Sequence, residues 1–182
     1  APGKRHSGDT KVTDLLYKCY GQAILDDDRE EDFEEILKVI KDRYDSIING
    51  LELTISLDDE FKTIQENFSK KIGRDYAASR GEYLNGIIMA AYLGYEFIDA
   101  AEVIFFDEEG EFDAEKTNEV LSERLAHTER AVIPGFYGSN PDGTIHTFSR
   151  GGSDITGSIV ARAVHADMYE NWTDVSGFLM AD

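Results

Sequence analysis

The stretch Thr144-Ile145-His146-Thr147-Phe148 breaks into Ser149-Arg150-Gly151-Gly152-Ser153-Asp154 and runs on as Ile155-Thr156-Gly157-Ser158-Ile159-Val160-Ala161-Arg162-Ala163. The first five residues alternate, as one strand of a hairpin would. After the glycines, Ile155, Ile159, Ala163 and Val164 recur at helical spacing, which predicts a helix from about Ser153 to Ala166. The joint between strand and helix carries a cation, two glycines, a hydroxyl and a carboxylate. Glycine lets backbone amides approach a ligand closely, and a helix N-terminus favours negative charge. Arg150 adds a planar fork suited to a carboxylate or phosphate. The joint has the makings of an anion cradle.

Upstream, the first half is helical by period. Asp9 or Thr10 is a candidate cap for a helix bearing Leu15, Leu16, Cys19 and Ala23. Phe33, Ile36, Leu37, Ile40, Tyr44 and Ile47 share a face of a second helix, which Asn49-Gly50 should stop. Ser56 reads as the cap of a third, with Asp59 at the capping-box position and Leu57, Phe61, Ile64, Phe68 and Ile72 as its apolar seam. A fourth, from about Tyr76 to Leu93, is apolar on several sides and ends at Gly94. The second half changes character. Glu96-Phe97-Ile98, Val103-Ile104-Phe105-Phe106, Ala131-Val132-Ile133-Pro134 and Met168 to Val175 are strand candidates. A helix with Val120, Leu121 and Leu125 lies among them, and Asn140-Pro141-Asp142-Gly143 is a turn. Strands alternating with helices predict a layered α/β domain with a mainly parallel sheet.

The 182 residues are 41% hydrophobic and fit one globular core. The formal charge of -19 sits in runs such as Asp107-Glu108-Glu109-Gly110-Glu111, read as solvated surface. That field repels nucleic acid, and any anionic substrate must be held by local cations and amides. No apolar run is long enough to span a bilayer, so no membrane partner is expected. The single Cys19 excludes an internal disulfide and a multi-cysteine zinc site, and a reducing cytoplasm is the simplest compartment. Cys19 lies among apolar neighbours and reads as core. The scattered His6, His127, His146 and His165 read as surface or packing. Gly3-Lys4 lacks the spacing of a phosphate loop.

Three further segments sit where ligands bind in open α/β sheets, beyond the ends of strands or at a helix start. Ser79-Arg80-Gly81-Glu82 is read as the opening of the fourth helix, with Glu82 serving either the helix dipole or an ammonium ligand. Gly135-Phe136-Tyr137-Gly138 reads as a turn with a packed ring. Trp172-Thr173-Asp174-Val175-Ser176-Gly177 ends a strand with hydroxyl, carboxylate and glycine.

In this order, together with Ala1-Pro2-Gly3 to Thr13-Asp14-Leu15-Leu16, these segments and Arg150-Gly151-Gly152-Ser153-Asp154 resemble the aspartate-kinase branch of the amino-acid-kinase family. The resemblance covers nearly the whole chain. It implies a three-layer αβα sandwich, with residues 1–182 forming part of a catalytic domain whose first half is rich in helices. The implied reaction transfers the γ-phosphoryl group of ATP to the side-chain carboxylate of L-aspartate, the first step toward lysine, threonine and methionine. By resemblance, Arg150 binds the α-carboxylate and Glu82 the α-ammonium, while Thr13, Phe136 and Ser153 fix the substrate. Gly151, Gly152, Thr173, Asp174 and Asp182 fall to the nucleotide, and Asp154 to the ordering of phosphate-binding lysines. Magnesium arrives with ATP, on phosphate oxygens, with no protein ligand assigned. A cytoplasmic, allosterically regulated homo-oligomer is implied for the whole enzyme. Three departures stand out. The lysine-bearing Lys-Phe-Gly-Gly segment of the family has no match here, the regulatory domains are absent, and Leu179 stands where relatives often carry an aromatic residue. The expectation is a chain cut at both ends from a larger protein. A sister kinase acting on glutamate or acetylglutamate, and a non-catalytic piece of the family, stay open.

Overall fold

The computed structural model of the chain describes residues 1–25, 30–148 and 152–172, with residues 30–32 described by backbone alone. Four helices build the first half: α1 (Val12–Ala23), α2 (Glu30–Gly50), α3 (Asp58–Ser69) and α4 (Arg74–Leu93). Their apolar seams meet in one core that includes Leu16, Cys19, Ile40, Tyr44, Phe61, Phe68, Leu84 and Ile88. The α2 and α3 seams are those the spacing predicts, except that Ile72 lies past the helix end and is exposed. Burial pushes the Cys19 thiol up to about 12, so it is an inert core group. Gly94 ends α4 in the left-handed region at φ 67°, where its N–H and that of Tyr95 reach back to Ala91 and Ala90.

The helix starts differ from expectation. Lys11, not Asp9 or Thr10, precedes α1, and no side chain caps it. The Asp9 carboxylate is taken by Arg5 at 2.9 Å and by the buried Arg43 at 3.1 Å. Its bond to the Arg5 guanidinium holds that carboxyl well below the usual carboxylate range. Arg43 also donates to the carbonyls of Thr10 and Gly3, tying the N-terminal segment to α2. A long-range ion pair has outbid a local cap. At α3 the cap position falls on Leu57, which has no side-chain cap bond; Ser56, one residue outside, accepts the Asp58 amide at 3.1 Å and donates to the Asp58 carboxylate, and Asp59 closes no capping box. Helix α4 opens at Arg74 behind Gly73, which places Arg80 and Glu82 in its interior rather than its first turn.

The second half packs on a separate core of Ile98, Val103, Ile104, Leu121, Tyr137 and Ala163. Strand β1 (Glu96–Phe97) pairs in parallel with β2 (Ala131–Val132), Glu96 opposite Ala131. Strand β3 (Tyr137–Ser139) and β4 (Ile145–Thr147) form an antiparallel hairpin closed by the predicted turn, whose Asp142 carboxylate accepts the Thr144 amide at 2.9 Å. Ser139 also bridges Phe105 in parallel. Part of the predicted strand at 103–106 is instead a one-turn helix, α5 (Ala100–Val103), capped by Asp99. An apolar run bounded by acids fits either state. Asp113 caps α6 (Ala114–Leu125). The final helix, α7 (Gly152–Ala163), begins one residue before the predicted Ser153 and stops three residues short of Ala166. Residues 168–172 form no strand, and the rest of that predicted strand lies outside the described residues. Among the described residues no helix is long and apolar enough to cross a membrane.

Candidate functional site

The mouth of α7 is built against the link between β2 and β3. Pro134 ends the β2 segment, and Phe136 follows at φ 68°, a left-handed conformation that costs a bulky residue about 1–3 kcal/mol. Three bonds hold it there. The Phe136 amide donates to Thr156 Oγ1 at 3.0 Å, Thr156 donates on to the Gly152 carbonyl at 2.7 Å, and the Phe136 carbonyl accepts the Phe148 amide at 2.9 Å. The first turn of α7 is thereby stapled to Phe136. The expected turn at Gly135-Phe136-Tyr137-Gly138 is in part strand, because Tyr137 and Gly138 belong to β3.

Both glycines at this contact are required by space. A Cβ on Gly135 would sit 3.0 Å from the Cα of Ser153, and one on Gly152 would sit 2.5 Å from Phe136 Cβ and 2.8 Å from Phe136 Cα. We expect Gly152→Ala to lower stability by about 1–3 kcal/mol through this overpacking, read as a shift in urea midpoint. An unchanged midpoint would mean that the mouth of α7 opens freely.

Ser153 is exposed at this mouth, beside Gly135. Asp154 is also exposed, but it stands on the other flank of α7. Its Oδ1 accepts from Asn171 Nδ2 at 3.1 Å, and it borders a cavity of about 380 Å³ between α6 and α7, lined also by Phe112, Thr117, Ile159, Arg162 and Tyr169. No lysine pairs with it among the described residues.

The other part of the site lies where α1 meets α4. Thr13 is half-buried in the first turn of α1, and Leu16 one turn later packs against Gly81 of α4. Glu82 follows Gly81. One of its oxygens accepts from the backbone nitrogen of Ala1 at 2.9 Å, and the other is buried with no hydrogen-bond partner among the described residues. Tyr44 donates to the Gly81 carbonyl at 2.8 Å and fixes this turn of the helix. Glu82 stands in the interior of α4, so it has no helix N-terminus to serve.

The predicted residues therefore stand in two groups, Thr13 and Glu82 on one side and Phe136, Gly152 and Ser153 on the other. Arg150, Gly151, Thr173, Asp174 and Asp182 lie outside the described residues. Sequence reasoning missed what joins the two groups. The guanidinium of Arg80 is packed over the rings of Tyr76, Tyr83 and Tyr137, and Tyr137 donates its hydroxyl to Asp99 at 2.7 Å. The spacing Tyr76, Arg80, Tyr83 (i, i+4, i+7) was a readable signal of one helix face.

The glycine-stapled mouth of α7 and the interior carboxylate of α4 are the two parts of this site. Residues 6–182 match the model of the amino acid kinase family, and the chain belongs to that family. It is 37% identical over 190 residues to aspartokinase 3 of Bacillus subtilis, covering 96% of this chain and 41% of that relative. The crystal structure of Clostridium acetobutylicum aspartate kinase superposes with a TM-score of 0.88 at 51% identity, over 100% of this chain and 41% of that one. Escherichia coli aspartokinase III, solved with aspartate and ADP, shares the fold with a TM-score of 0.75 at 22% identity, over 96% of this chain and 42% of that one. The chain thus spans about 41% of the length of these relatives. The helix-rich first half and the small parallel β1–β2 sheet are consistent with an incomplete form of the αβα domain that the resemblance implies, while the other strand pair among the described residues is antiparallel.

Proposed function

We propose that this chain carries the amino-acid-binding part of an aspartate kinase, which transfers the γ-phosphoryl group of ATP to the side-chain carboxylate of L-aspartate. The observation that supports it most is Glu82, an interior helix carboxylate with one buried oxygen that has no hydrogen-bond partner among the described residues. In this reading Glu82 takes the α-ammonium of aspartate, and Arg150 takes its α-carboxylate as a two-pronged donor. Thr13, Phe136 and Ser153 frame the side chain. One carboxylate oxygen attacks the γ-phosphorus and the bond to the ADP oxygen breaks. The nucleophile is already an anion, so no general base is needed, and catalysis is positioning and charge neutralisation. The amides at the start of α7, Gly151, Thr173, Asp174 and Asp182 are assigned to the nucleotide. Asp154 is assigned to ordering the lysines that hold the phosphates.

ATP enters as its magnesium complex. In this reading the ion is carried on the phosphate oxygens. A cytoplasmic location and a homo-oligomeric whole enzyme go with the same reading.

The lysine-bearing Lys-Phe-Gly-Gly segment is not among the 182 residues, so binding rather than turnover is the readout. Calorimetric titration should give saturable heat with L-aspartate, and weaker or no heat with L-glutamate and N-acetylglutamate. Preference for either of the latter would move the assignment to a sister kinase. No heat with any of the three, nor with magnesium ADP, would leave a structural piece of the family.

A further inference from the structure

Arg80 is only 5% exposed, yet no carboxylate lies within ion-pair distance of it among the described residues. Its Nε and Nη2 both reach Ser79 Oγ, at 3.1 and 2.9 Å. Aromatic faces take the place of a counter-ion. The guanidinium carbon sits 4.4 Å from the ring centre of Tyr76, 4.3 Å from that of Tyr83 and 5.6 Å from that of Tyr137. A buried cation without a carboxylate is costly, and stacking on ring faces offsets part of that cost.

The ownership of the rings gives the arrangement its meaning. Tyr76 belongs to the helical core, Tyr137 to the α/β core, and Tyr83 packs against both. Arg80 lies two residues before Glu82 on α4, and Tyr137 directly follows the strained Phe136. Tyr137 is fixed in turn by its bond to Asp99, the cap of α5. One side chain thus touches both walls of the site.

We propose that Arg80 is a positioning residue for the amino-acid site, which keeps the Glu82 wall and the Phe136 wall in register by stacking on rings of both cores. It acts through its neighbours and need not touch the substrate. The inference rests on the aspartate-site reading above.

The test compares the wild-type chain with Arg80→Lys and Arg80→Met by calorimetry with L-aspartate and, separately, magnesium ADP. Thermal melts and amide exchange at residues 136–139 accompany the titrations. Arg80→Met should weaken aspartate binding about tenfold, with ADP affinity within about twofold and faster exchange at the Phe136 amide. Arg80→Lys, which keeps a cation over the rings and guards against a Met variant that fails to fold, should recover most of the loss. Unchanged aspartate affinity in Arg80→Met would overturn the proposal, as would equal loss for both ligands or no recovery with Lys. If the wild-type chain binds no aspartate, the substrate reading fails by itself. The register claim is then decided by exchange: unaltered exchange at Phe136 and Tyr137 in both variants overturns it.

Discussion

Phe68→Ala is expected to lower the unfolding free energy by about 3–5 kcal/mol, the range for emptying a fully buried aromatic site. Phe68 is wholly buried where three helices meet α3. Its ring centre lies 5.3 Å from that of Tyr20 on α1, 6.3 Å from Phe33 on α2 and 6.2 Å from Tyr76 on α4. Edge and tilted ring pairs add to the transfer term, and three rigid rings cannot close fully over the space left. Ordinary domains hold about 5–15 kcal/mol in all, so this one change would remove a large share of the total. Phe68→Leu should cost clearly less, because most of the volume stays. Ile72 supplies the control: it follows the same spacing but is exposed, so Ile72→Ala should stay within about 0.5 kcal/mol. Urea unfolding followed by far-ultraviolet circular dichroism measures all three. A loss near 1 kcal/mol in Phe68→Ala would show that the aromatic knot repacks and that the helical half is not held there.

The helical seams were legible because burial acts on a 3.6-residue period that spacing alone displays. Gly94 was legible because a helix end selects glycine for the left-handed region, whereas Asn49 and Gly50 are the last residues of α2 itself and Glu52, at φ 55°, takes the left-handed position beyond it. The caps failed for the opposite reason. Asp9 has the right chemistry for an N-cap, but Arg43, far along the chain, takes its carboxylate, and no local rule sees that competitor. The start of α4 failed because Gly73 precedes it without a capping side chain, which moved Arg80 and Glu82 to the wrong end of the helix.

Within the site, the α7 mouth was readable since glycine, hydroxyl and helix period coincide in one stretch. The Arg80 enclosure was not, because it depends on Tyr137, 57 positions away across a second core. A charged residue on an apolar helix is read as surface unless its partners are known. The same error hid the true setting of Glu82, since a carboxylate placed in a first turn is explained by the helix dipole and needs no ligand.

Glu82→Gln turns that setting into a measurement. The amide keeps the shape and one carbonyl acceptor but removes the charge, so packing against Tyr44 and Gly81 is undisturbed and the fold should melt as before. The buried oxygen that has no partner among the described residues is open to an ammonium hydrogen, and a buried setting screens charge little. Removing one member of such a charge pair costs on the order of 2–4 kcal/mol, because the ligand's ammonium is left facing an uncharged, partly buried surface. Aspartate affinity should therefore fall by about 30- to 1000-fold while magnesium ADP affinity is unchanged. A ligand with the same carboxylates but no ammonium, succinate, separates the two explanations that remain. Its weak binding should be indifferent to the substitution, or slightly improved as a repulsion is removed. Equal losses for aspartate and ADP would instead mark Glu82 as a structural residue of α4, and the ammonium contact would have to be sought elsewhere in the site.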